Sequence, residues 1–162
     1  VDDAQWLDNF GDTGADTTHY TFAHLDQTTM SLTARVNYTF TPDLSLQLYA
    51  QPFVTSGTYS DWRELDDPRA DRYDDRFKPF TATAVGGDSD DPGGFSFGQF
   101  RSNTVLRWEY RPGSTIFFVW SQGRDRNIDA PSRFRFGRDV NDLFSQHPDN
   151  TFLVKASFWF AP

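Results

Sequence analysis

Met30-Ser31-Leu32-Thr33-Ala34-Arg35-Val36-Asn37-Tyr38-Thr39-Phe40 decides the fold class: every even position is apolar or aromatic and every odd one polar. A strict two-residue period over this length is the mark of a strand with one wet face and one apolar face. Past Thr41-Pro42-Asp43 the pattern resumes, with Leu44, Leu46, Leu48 and Ala50 alternating with Ser45, Gln47, Tyr49 and Gln51. Two long alternating runs separated by a short Pro-containing break predict a tight hairpin.

The same reading extends outward. Leu106, Trp108 and Tyr110 alternate with Arg107, Glu109 and Arg111, Pro112-Gly113 turns the chain, and Ile116, Phe118 and Trp120 continue on the return. A last strand sets Phe152, Val154, Ala156, Phe158 and Phe160 against Thr151, Leu153, Lys155, Ser157 and Trp159. Thr17 to Phe22 extends the first strand, and Asp2 to Phe10 forms a stub before it. Composition agrees. Of 23 acids only Glu64 and Glu109 are Glu, and of 15 bases only Lys78 and Lys155 are Lys. Glu, Lys and Met favour helices while Asp favours turns, which excludes a mostly helical protein. Aromatics at 17% suit strands. The expected fold is therefore all-β: an antiparallel up-and-down meander of about five strands plus a stub.

A soluble sandwich also alternates, so other features must choose between that and a membrane barrel. The runs match the ~9–11 residues a tilted strand needs to cross a bilayer and exceed the ~5–6 of an ordinary strand. Tyr38, Phe40, Trp108, Tyr110, Phe158 and Phe160 fall at one level beside the tight turns, as a lipid-facing aromatic girdle would. Arg35, Gln47, Arg107, Glu109, Arg111 and Lys155 share the opposite face, where they read as lumen-facing, because a mid-bilayer Arg on the lipid side costs ~2–4 kcal/mol. Tight turns alternate with long loops, about 55–95 and 125–149, as in outer-membrane barrels. Single-chain bacterial barrels have at least ~8 strands. Residues 1–162 thus read as one segment of a partial transmembrane β-barrel, needing strands from elsewhere. Val1 in place of Met points to a processed chain or a fragment.

The first long loop holds nine Asp and one Glu against five bases, a large part of the net charge of -8. Tyr59, Trp62, Tyr73 and Phe77 within it offer aromatic faces for stacking on glycan rings. Asp88, Asp90 and Asp91 in a Gly-rich turn offer hard oxygen ligands for calcium, without the ligand order of an EF-hand. Elsewhere Val140, Leu143 and Phe144 after Asp139 predict one or two helical turns. The three His have no metal-ligand or triad spacing, and no Cys is present. No catalytic constellation stands out, so the reading is non-enzymatic. The acidic balance excludes a nucleic-acid partner, and no run of about 18 apolar residues could form a membrane helix.

Four blocks carry a family likeness: His24 to Leu32, TFTPDLSLQLYAQPF from Thr39 to Phe53, FRSNTVLRWEYRPGSTIFFVWSQGR from Phe100 to Arg124, and HPDNTFLVKASFWF from His147 to Phe160. Together they resemble the C-terminal region of a bacterial family of unknown function whose members join a carbohydrate-binding-family-9-like domain to a large outer-membrane β-barrel. The resemblance implies an outer-membrane location, upstream strands and an N-terminal glycan-binding module outside this sequence, and an association with surface glycan binding or passage. It supplies no catalytic residue. The final strand resembles the signal read by the barrel-assembly machinery, although Ala161 and Pro162 follow Phe160 where such strands usually end in Phe. The partners so implied are outer-membrane lipid, that machinery, the remaining strands of a barrel, and glycan. A soluble all-β carbohydrate-binding module using the loop aromatics is the alternative.

Overall fold

The computed structural model describes residues 5–11, 18–80, 93–128 and 133–160. Along the chain these form β1 (Gln5–Gly11), β2 (Thr18–Ser31), β3 (Ala34–Thr41), β4 (Leu44–Leu65), a 3-10 turn (Asp74–Arg76), β5 (Phe77–Pro79), β6 (Gly94–Arg111), β7 (Ser114–Ile128), α1 (Phe136–Ser145) and β8 (Asp149–Ser157). The strands build one sheet in the order β1-β2-β4-β6-β7-β8, with β3 and β5 also paired to β4. Pairing is antiparallel in β1·β2, β3·β4, β4·β5 and β7·β8. The protein is therefore all-β with one helix. β1 and β8 stand at the two ends of that order.

The alternation of the sequence becomes two faces. Val36 lies opposite Leu48 and Tyr38 opposite Leu46, while Arg35 lies opposite Tyr49 and Asn37 opposite Gln47. On the last pair Phe118 meets Val154 and Trp120 meets Phe152, with Phe117 opposite Lys155 on the other side. Because side chains alternate strictly, even positions of β3, β4, β6, β7 and β8 make one face and odd positions the other. The turns obey local chemistry: Pro42-Asp43 and Pro112-Gly113 each leave two residues between strands. Gly113 takes φ +76°, the left-handed conformation that a type II turn requires after its Pro.

The sheet departs from the sequence reading in three places. The Met30–Phe40 run is interrupted at Leu32-Thr33. Leu32 still donates its N–H to Pro52 O (3.1 Å), but Pro52 has no N–H to return, so the ladder breaks opposite it. The first long loop begins later than residue 55. β4 runs on to Leu65, held by backbone pairing where the apolar period has stopped: the Tyr59 N–H bonds Gly93 O (3.1 Å), and Arg63 to Leu65 pair with β5. The second loop is likewise shorter than 125–149, because β7 reaches Ile128, and its helical turns grow into the full α1.

Two compact units divide the chain. One contains residues 1–28, 56–96 and 129–134, the other 29–55, 97–128 and 135–162. In the first, Ala23, Phe80, Thr21, Ser56 and Ser96 are buried, and Ser56 and Ser96 hydroxyls bond each other (3.1 Å). In the second, Val54, Leu143, Thr55, Ser114, Arg126 and Asp139 are buried, with the Thr55 hydroxyl bonded to that of Thr29 (2.8 Å). Among the described residues small or polar side chains thus outnumber the large apolar ones (Phe80, Leu143 and Val54) in the interior, and many other large apolar side chains are exposed.

Candidate functional site

In the second unit the even face of the strands carries them. Leu32, Val36, Tyr38, Phe40, Leu48, Trp108, Phe118, Trp120, Phe152, Val154, Phe158 and Phe160 are all exposed, Phe152 at 73% and Val154 at 65%. Of the residues expected to form a girdle, Tyr38 and Phe40 meet edge-on at 4.8 Å. Trp108 meets Tyr110 at 6.1 Å and Tyr110 meets Phe158 at 6.4 Å, both edge-on. Phe160 is exposed and makes no ring contact in this set. Near the other end of the same face, Trp120 stacks on Phe152 at 6.0 Å with ring planes 10° apart.

The odd face of this unit is mostly polar and internally bonded, although Leu153 and Trp159 also stand exposed at odd positions. The Arg35 guanidinium sits 5.4 Å from the Tyr49 ring centre, and the Tyr49 hydroxyl donates to Gln51 Oε1 (2.6 Å). Arg107 donates to Glu109 Oε2 (2.7 Å), while Glu109 Oε1 accepts the Gly113 N–H (3.0 Å). Glu109 therefore binds Arg107 and the turn. Asp125 accepts from Gln99 (2.8 Å) and pairs with Arg101 (3.0 Å), and Ser121 donates to Asn103 (3.1 Å). Arg35, Asn37, Gln47, Tyr49, Asn103 and Val105 line a hollow of about 170 Å³. Lys155 is exposed beside Phe117.

Helix α1 belongs to this unit too. Leu143 is buried against Gly98, where a Cβ would stand 3.4 Å from its Cδ1, and Phe144 packs on Phe100 at 5.0 Å. The buried Asp139 carboxylate accepts from Arg138 Nε (2.8 Å) and from the Arg135 N–H at the helix start (2.7 Å). Burial pushes the Asp139 carboxyl up. The Arg138 hydrogen bond, the Arg135 N–H and the charges of Arg138 and Arg126 outweigh that and hold it below the usual Asp value. A depressed carboxylate contributes stability above the 3.8 of a free Asp and loses it as pH falls through the lower folded value. Replacing Asp139 with Asn should therefore loosen α1 by about 2 kcal/mol at neutral pH. Amide exchange at Val140 to Leu143 should quicken about thirtyfold, and the gap from wild type should close in acid. Unchanged exchange would remove this anchoring role.

In the first unit, Asp61, Trp62, Arg63, Asp74, Phe77, Lys78 and Pro79 line an open cavity of about 430 Å³. Trp62 and Phe77 thus meet at one site, and Tyr73 supports Phe77 edge-on at 5.2 Å. Tyr59 does not join them, packing instead on Phe95 at 6.2 Å. The Trp62 indole N–H is buried without an acceptor, and its ring lies 5.4 Å from Phe80. Lys78 stands between Asp66 (3.0 Å) and Glu64 (3.7 Å), and the Asp66 hydrogen bond followed by the Glu64 charge raises it above its ordinary 10.5. Asp61 adopts φ +52°, a backbone strain that composition cannot reveal. Asp88, Asp90 and Asp91 lie outside the described residues. Among the described residues no three His, Asp or Glu side chains are grouped to hold a metal ion.

No curated protein and no solved structure matches this chain. Residues 3–161, nearly its whole length, do match a family described as "Domain of unknown function (DUF5916)", and the chain belongs to that family.

Proposed function

We propose that this chain is a non-enzymatic wall segment of an outer-membrane β-barrel, associated with glycan binding or passage. The observation that carries the reading is the bare apolar face of the second unit. Twelve large apolar side chains stand exposed there, on the order of 1000 Å² of apolar surface against ~300–600 Å² for the largest patch on a typical soluble monomer. A mostly polar, hydrogen-bonded face lies behind it, with Leu153 and Trp159 as exposed exceptions, as in a barrel with lipid outside and water inside. The outer edges of β1 and β8, the two ends of the strand order among the described residues, are then the places where further barrel strands add, and β8 is the strand presented to the assembly machinery. The Trp62–Phe77 cavity supports the glycan part of the reading, and equally a soluble carbohydrate-binding module.

Detergent dependence separates the two. Purified without detergent, the protein should aggregate, and in detergent micelles it should fold with strand-rich circular dichroism. A monodisperse, folded monomer in plain buffer would overturn the barrel and leave the soluble module.

A further inference from the structure

On the even face of β7 the apolar run ends abruptly: Ile116, Phe118 and Trp120 are followed by Gln122, Arg124 and Arg126. On β8 the change falls at the same level, between Phe152 and Asn150, since Trp120 pairs with Phe152 and Gln122 with Asn150. One polar clamp marks the line. The Trp120 indole N–H (2.9 Å) and the Gln122 amide (3.1 Å) both donate to Asn150 Oδ1, so Trp120 has its ring on the apolar side and its N–H on the polar side. Tryptophan takes that posture at a membrane–water boundary.

Above the line α1 covers the face. Arg124 donates to the carbonyls of Phe144 and of Gln146, at the helix C-terminus, where partial negative charge accumulates. Arg126 pairs with Asp142 (3.6 Å). Two arginines on a face that is apolar below are thus shielded by one amphipathic helix. The helix is itself half apolar: Phe136 and Phe144, on the stripe that includes buried Leu143, are 60% and 41% exposed. Arg135 at the helix start and Arg138 in its first turn are exposed, with the Asp139 carboxylate buried beside Arg138. A short helix with exposed Phe and exposed Arg at its start suits a layer that is apolar on one side and anionic on the other.

Building on the barrel reading, we propose that α1 lies in the headgroup layer of the bilayer, with Phe136 and Phe144 at the acyl boundary and the exposed Arg135 and Arg138 among lipid phosphates. The hydrocarbon then ends between Trp120 and Gln122. Length is compatible, because Phe152 to Phe160 spans ~26 Å of extended chain and so ~20 Å of height at a ~40° tilt, most of one apolar band.

The chain has no Cys, so a single introduced Cys is unique in it. Val154→Cys, Phe136→Cys and, in case the Phe136 change disturbs packing, Arg135→Cys are labelled with an environment-sensitive fluorophore. The protein is used at its full encoded length, any cysteine elsewhere replaced, in vesicles of phosphatidylethanolamine and phosphatidylglycerol. Lipids brominated near the glycerol should quench the labels at 136 and 135 about twofold, and lipids brominated deep in the chain should quench only the label at 154. If 154 is quenched while 136 and 135 are not, or if all three respond to the deep bromines, the placement of α1 is overturned and the barrel stands. If 154 is unquenched, the barrel reading falls and the placement of α1 with it.

Discussion

Replacing Val36 or Val154 with Arg should stop the protein from assembling in a membrane, while Asn37→Arg should be tolerated. Val36 and Val154 are already 48% and 65% exposed, which makes the comparison sharp. In a soluble protein, Arg at an exposed strand position away from any special feature changes stability by about ±0.5 kcal/mol. At the middle of a lipid-facing strand it costs ~2–4 kcal/mol, a large fraction of a marginal total. Asn37 lies next in the strand but on the polar face, opposite Gln47 and beside the Arg35–Tyr49 pair, where one more cation meets a wet surface. The measurement is the folded, heat-modifiable fraction recovered from membranes for each variant. A large loss at both Val positions with a near-normal yield at Asn37 is the expected pattern. Equal tolerance on both faces would contradict the assigned orientation and with it the membrane reading.

The second large effect needs no membrane. Gly57 lies in β4, and a Cβ built there would stand 2.6 Å and 2.8 Å from two ring atoms of Phe95 and 2.9 Å from Leu25 Cδ1. Real Cβ atoms do not come so close, so Gly57→Ala must displace an aromatic ring that also packs on Tyr59. Overpacking of this kind costs about 1–3 kcal/mol, in addition to which β-sheet glycine usually marks such a close approach. Shortening the obstacle should relieve it: in Gly57→Ala/Phe95→Leu the combined loss should be smaller than the sum of the single losses by about 1 kcal/mol. Denaturant midpoints of the four proteins give the cycle. Strict additivity would mean that the Phe95 ring is not what excludes a side chain at Gly57.

Much of the sheet was legible in the sequence because its signal is local. Period-two alternation in Ala34–Phe40, Leu44–Gln51, Leu106–Arg111 and Thr151–Ser157 follows from the pleat alone, and over these runs the β3·β4 and β7·β8 registers keep even positions opposite even and odd opposite odd. The two Pro-containing turns were legible for the same reason. The candidate glycan aromatics were less so: Trp62 and Phe77 meet in one cavity but Tyr59 turns to Phe95, a choice made by cross-strand neighbours that spacing does not encode. The strained Asp61 and the unpartnered Trp62 indole gave no sequence signal at all.

The sequence by itself determined that the protein is built of amphipathic antiparallel strands, with aromatics gathered beside the tight turns and acids in the connections. Those properties depend on residues two apart or on neighbours in a turn. Only the tertiary structure decided where strands stop and what covers them. β4 outlasts its hydrophobic pattern because partner strands continue to accept its backbone, and β2 breaks from β3 because Pro52, twenty residues downstream of Leu32, withholds one N–H. Arg124 and Arg126 sit on an otherwise apolar face because α1 brings carbonyls and Asp142 to meet them. Hydrogen-bond partners and charge partners distant in the chain set these outcomes, and no local period records them.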